Sequence, residues 1–137
     1  MSDSEGTEIV DLDAEAVLDA ARAATDGTLH TLIEFDRERF EILYVHESTR
    51  ALYASDEEMR EHFASIHEFV NLDFAEVELF TEDLLPFVDR VRYKTTAMDT
   101  ATFVRLYVSE STGLFITLDP GAEAEPVARA IEGTIER

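Results

Sequence analysis

"RVRYKTTAMDTATFVRLYVSESTGLFITLD", Arg90 to Asp119, decides the fold. It falls into three apolar-alternating runs parted by two turn-like stretches, "AMDT" and "SESTG". In the middle run Val104, Leu106 and Val108 point one way and Phe103, Arg105 and Tyr107 the other. That period of two is the signature of a strand. In the last run Leu114, Ile116 and Leu118 oppose Phe115 and Thr117. In the first, Val91, Tyr93 and Thr95 oppose Arg90, Arg92 and Lys94. Gly113 closes the second turn as a residue free to take positive φ.

Downstream, Asp119-Pro120 ends the strand and a helix follows, with Pro126 in its first turn, where a missing N–H costs little. Val127, Ala130, Ile131 and Ile135 form its expected buried stripe. Upstream, "TLHTLIEFDRERFEILYVHE" reads as a hairpin. Leu29, Thr31, Ile33 and Phe35 alternate, as do Phe40, Ile42 and Tyr44, around a turn at Asp36 to Arg39. That turn has no glycine. "DLDAEAVLDAARAATDG" is a helix capped by Asp11 or Asp13 and ended by Asp26-Gly27, burying Val17, Leu18, Ala21 and Ala24.

The central stretch opens with Ser48, expected to cap a short helical turn. Ser55 and Glu58 form a capping-box pattern, and Met59, Phe63, Ile66 and Val70 share one helical face. "FAEVELF" alternates like a strand, yet Asp73 before Phe74, Val77 and Phe80, and Pro86 beyond, favour a second helix. The order is then helix, two strands, one or two helices, three strands, helix. The fold class is α+β, with a five-stranded antiparallel sheet. Large residues on the second face of the strands, such as Leu32, Val45, Phe103 and Phe115, call for helices on both faces. Residues 1–10 are polar and acidic and are expected to fray, leaving residues 11–137 as one α+β domain.

Charge is the strongest compositional signal. The chain carries 31 Asp and Glu against 11 Lys and Arg, a formal net charge of −20, and Lys94 is its one lysine. The acids are spread through every segment. At molar salt the screening length falls to about 3 Å, so such a coat keeps the surface hydrated without repelling itself. We read it as adaptation to brine, in which most carboxylates are solvation. A surface this anionic disfavours nucleic acid as a partner. No apolar run approaches the roughly 20 residues that span a bilayer, and the N-terminus has no secretory pattern. With no cysteine, thiolate metal sites and cysteine nucleophiles are excluded. A cytoplasmic protein is expected.

Candidate sites are few. Arg90, Arg92, Lys94 and Arg105 form the one local excess of positive charge, a binding surface for an anion or an acidic partner, or else a set of internal ion pairs. The outer helix acids Glu57, Glu61 and Glu68 are the expected partners in the second case. His46, at a strand end beside Glu47, is placed as a general base or as a hydrogen-bonded strand-end residue. Glu58 and His62 are four apart, as metal ligands on a helix would be, but no third ligand is indicated. His62 and His67 are five apart and His30 stands mid-strand. Neither phosphate-cradling glycine motif nor a nucleophile elbow occurs. No metal and no cofactor are indicated.

"FEILYVHESTRALYA", "ELFTEDL" and "FVRLYVSESTGLFITLD" are similar to stretches of small, acidic haloarchaeal proteins of unknown function. In element order, residues 13–136 resemble Roadblock-type domains and, more loosely, longin, profilin and PAS-like folds. The resemblance carries no site motif. The missing catalytic motifs and the two apolar sheet faces instead lead us to expect a non-enzymatic regulatory or scaffolding domain that meets a protein partner, as a homodimer or with another chain. The alternative is a small-molecule sensor with a PAS-like pocket lined by Phe63, Phe103, Tyr107 and Phe115. An enzyme using His46 is the least supported expectation.

Overall fold

The computed structural model describes residues 6–135. Helix α1 (Ala14–Ala24) starts at Asp13, whose carboxylate accepts the Ala16 N–H. It leads into β1 (Leu29–Asp36) and β2 (Phe40–Val45). The turn between them needs no glycine because the Asp36 carboxylate accepts the N–H groups of both Glu38 and Arg39 at 2.8 Å. A four-residue turn of helix, α2 (Glu47–Arg50), follows. Its cap is the His46 ring, which accepts the Ser48 N–H, and not Ser48 as expected.

Helix α3 (Asp56–His67) opens as its sequence foretells. Ser55 Oγ accepts the Glu58 N–H and the Glu58 carboxylate accepts the Ala54 N–H. The second central element is a helix and not a strand: α4 runs Val70–Glu78. It starts earlier than Asp73, which therefore lies within it and caps nothing. A π-helical turn, Leu79–Leu84, extends it, with the Leu85 N–H bonded to Phe80 O, and ends before Pro86. Strands β3 (Tyr93–Ala97), β4 (Thr102–Tyr107) and β5 (Thr112–Leu118) precede the last helix, α5 (Ala124–Ile135).

The five strands form one antiparallel sheet in the order β2-β1-β5-β4-β3. One face packs on α1 and α5 through Val17, Ala21, Leu106, Ile116, Val127 and Ile131. The other packs on α3 and α4 through Phe35, Met59, Phe63, Val70, Phe74 and Phe115. Both faces thus carry helices, the second only in part, as the apolar residues on both sides of the strands required. In α5 the buried stripe takes Ala128 where Ala130 was expected, which is half-buried.

Two bulges alter the alternation foreseen for the first hairpin. Leu29 and Thr31 oppose successive residues, Leu118 and Thr117, so His30 is an extra residue in β1. Leu29 turns to the α1/α5 side while Ile33 and Phe35 face the central helices. Likewise Leu32 pairs with Tyr44 and Ile33 with Ile42, leaving Leu43 extra. Tyr44 is thereby separated from Phe40 and Ile42, and lies under the Arg22 guanidinium of α1 at 4.6 Å. Gly113 also has a different use from the one foreseen. It lies in β5 and adopts no positive φ; a Cβ there would stand 2.7 Å from the Phe35 ring and 2.6 Å from Leu106 O. Its role is close packing.

Of the end expected to fray, residues 1–5 lie outside the described ones. Thr7, Ile9 and Val10, by contrast, are all tied to one carboxylate, that of Glu34 on β1.

Candidate functional site

β3 begins only at Tyr93, and Lys94 sits directly across the ladder from Arg105. Arg90 and Arg92 precede the strand, so the alternation that would have put them beside Lys94 does not reach them. The four cations are split between the two faces. Arg92 donates to Glu132 at 2.7 Å and to Glu125 at 3.1 Å, both on α5, and Arg90 reaches Glu132 at 3.5 Å. Tyr93 Oη donates to Glu125 at 2.6 Å. On the opposite face Lys94 reaches Asp73 at 2.8 Å and Glu76 at 2.7 Å, while Arg105 binds Asp73 at 3.1 Å. The partners are therefore acids of α4 and α5, and not Glu57, Glu61 and Glu68.

These pairs are better placed than ordinary surface pairs, because Asp73 and Glu132 are themselves largely buried. Hydrogen bonds to Glu132, and then to Glu125, hold the Arg92 guanidinium above its ordinary value against desolvation. Desolvation pulls the Lys94 ammonium down, but its bonds to Asp73 and Glu76 outweigh that and raise it. The first group ties α5 to the chain entering β3, and the second ties α4 to β3 and β4. Beside the Asp73 cluster, burial pushes the Tyr107 hydroxyl up to about 12.

Each histidine has a partner. His46 Nδ1 is held by the Ser48 N–H at 3.1 Å and lies 2.8 Å from its hydroxyl. His62 pairs with Tyr53 Oη at 2.7 Å, and Glu58 is occupied in the cap, so the two do not converge. His67 Nε2 lies 2.8 Å from Asp36 O. Among the described residues no three metal-ligating side chains come together.

The bulged His30 has a partner that sequence reasoning missed. Its Nε2 lies 2.7 Å from Asp119 Oδ1 and its Nδ1 3.1 Å from Thr49 Oγ1. The Thr28 N–H donates to the other oxygen of Asp119 at 2.9 Å. Sequence distance hid this pair, since β1 and β5 meet only in the folded sheet. The Thr28 N–H first, and His30 second, hold the Asp119 carboxyl below its ordinary value. A depressed folded-state value stabilises the fold above the unfolded carboxyl value of 3.8 and ceases to do so as pH falls through the folded value. Asp119→Asn is therefore expected to lower the urea midpoint near pH 7 and to lower it progressively less as the pH is taken below the unfolded carboxyl value of 3.8. An equal loss at every pH would refute the assignment.

The largest unexplained feature lies on the central helices. Nine large apolar side chains are exposed among the described residues, and seven of them fall between Phe69 and Phe87. Phe69 is 61% exposed, Leu72 67% and Phe87 83%. Phe69, Leu72 and Leu79 wall an open groove of about 810 Å³ whose floor includes Phe103 and Phe115. The groove exists because α3 and α4 cover only part of their sheet face. A smaller cleft beside Phe63, Phe103 and Phe115 measures about 30 Å³, room for a single water. The sequence signal for the exposed patch was present in "VNLDFAEVELFTEDLLPFVD", which has more apolar residues than one helical face can bury.

No described helix is long and apolar enough to cross a membrane. Residues 15–136 match the model of a family described as a domain of unknown function, DUF7522. Among curated proteins nothing matches the chain.

Proposed function

We propose, for a chain that belongs to the DUF7522 family, a non-enzymatic role in protein interaction, with α4, its π-helical turn and the open part of the sheet as the docking face. One observation carries this reading: the exposed apolar side chains are gathered into one stretch beside a groove rather than scattered. Scattered exposure is ordinary, whereas a gathered patch beside a concave surface is what interfaces present.

The test is molar mass by light scattering in about 2–3 M KCl, where surface repulsion is screened. The intact protein is expected to associate with a second copy or with a co-purifying chain. Leu72→Asp with Phe87→Asp should abolish that association while leaving the circular dichroism unchanged, because both side chains are exposed. Association indifferent to the two substitutions, or a monomer with no co-purifying chain that also takes up no added partner peptide, would remove the proposal.

We place this protein, within the same proposal, in the cytoplasm of a haloarchaeal cell. The spread of its 31 acids and the near absence of lysine support a molar-salt setting. Its melting temperature is expected to rise by roughly 10 °C or more between about 0.1 and 2 M KCl, since screening removes self-repulsion from the compact state. A flat salt dependence would refute the brine reading.

A further inference from the structure

The docking face has a sign. Between Arg60 and Arg90 the chain has no lysine or arginine and carries eight Asp and Glu. Glu68, Glu82 and Asp83 stand exposed among the apolar side chains of this stretch. The cations that reach the face from elsewhere are already engaged: Lys94 and Arg105 by Asp73 and Glu76, and Arg37 by Glu78. What remains on offer is an apolar groove with the exposed Glu68 on its wall and no disengaged cation among its lining residues.

Such a face is a poor match for itself. Two copies meeting through it about a two-fold axis would bring the same patch twice, and with it no cation to meet these carboxylates. A partner that fills the groove with apolar side chains and meets the carboxylates with cations satisfies both features. We infer that the occupant is a basic amphipathic helix of another protein, its apolar stripe entering the groove between Phe69, Leu72 and Leu79 and its flanking Lys or Arg meeting Glu68, which lines the groove, and the exposed acids of the same helical stretch. This is the helix-in-groove mode of recognition. The inference rests on the docking face proposed above and adds the chemistry of the partner.

The probe is a fluorescein-labelled Leu/Lys peptide of about 18 residues, in helical register and long enough for about five turns. A Ser/Lys peptide of equal charge and a Leu/Glu peptide of equal apolar content serve as controls. Binding is read by anisotropy in about 0.5 M KCl, with circular dichroism confirming that the protein is folded. The Leu/Lys peptide is expected to bind roughly tenfold tighter than Ser/Lys, and Leu/Glu not at all. Leu72→Ser with Leu79→Ser should remove most of that preference, and added KCl should weaken binding without abolishing it. Equal binding of Leu/Lys and Ser/Lys, or a double variant that binds like the parent, would show attraction to the acidic coat alone and overturn the inference. A protein that pairs with itself through Leu72 and ignores the Leu/Lys peptide would keep the docking face and overturn the basic partner. A monomer that binds none of the three peptides would remove both.

Discussion

Phe35→Ala is expected to lower the stability of this protein by about 3–5 kcal/mol, a large part of the 5–15 kcal/mol typical of a domain. Phe35 is fully buried and, with Phe74, is one of the two largest such side chains among the described residues. It stacks on Phe115 at 4.1 Å and tilts against Phe74 of α4 at 5.8 Å. It thus joins the centre of the sheet to the central helices. Its ring also lies over Gly113, where a Cβ would stand 2.7 Å away, so the backbone around it cannot easily close the gap left by alanine. Urea unfolding in molar KCl would measure the loss. A cost below about 1 kcal/mol would mean that the α4 side of the core collapses freely into the space, and that Phe35 is not its keystone.

Most of the architecture was legible because the pattern is regular where it matters most. In β4 and β5 every second residue belongs to one core, so Val104, Leu106, Leu114 and Ile116 assign themselves to a face. The same holds for Met59, Phe63 and Val70, whose spacing fits a helix lying on the sheet. Legibility fails where an extra residue enters a strand. His30 and Leu43 each shift the register by one, and one residue is enough to send Leu29 and Tyr44 to the other face. Nothing in the sequence flags this, because both faces carry helices and apolar residues suit either.

The candidate site was legible in part for a similar reason. That Arg92, Lys94 and Arg105 form ion pairs followed from the scarcity of cations. Which acids they meet did not, because it depends on where α4 and α5 cross the edge of the sheet. The groove depends on the same placement. An apolar excess around Phe69 to Phe87 can be counted from sequence, but whether Leu72 and Phe87 are buried is settled only by how much of the sheet α3 and α4 cover.

Glu34 sets a limit on reading the acids as a coat. Glu34 is 1% exposed, on the α1/α5 side of β1, the strand between β2 and β5. It accepts the Thr7 hydroxyl and the N–H groups of Ile9 and Val10, the last at 2.9 Å. A carboxylate out of contact with water persists only when such donors replace its hydration. The donors come from the segment Thr7–Leu12, so the acid that would otherwise be the costliest in the fold is also the anchor of the N-terminal strap. Glu34→Ala is expected to cost about 2–3 kcal/mol, the scale of one or two hydrogen bonds to a charged group, and not more. The strap has an escape: once the carboxylate is gone, Ile9 and Val10 N–H can swing into water instead of staying buried and unpaired. Amide exchange at Ile9 and Val10 should therefore quicken by roughly tenfold or more while amides of β4 and β5 keep their order of protection. Unchanged exchange at those two amides would mean that the strap holds through its own contacts, such as Leu12 in the core, and that Glu34 is held by the strap rather than the reverse.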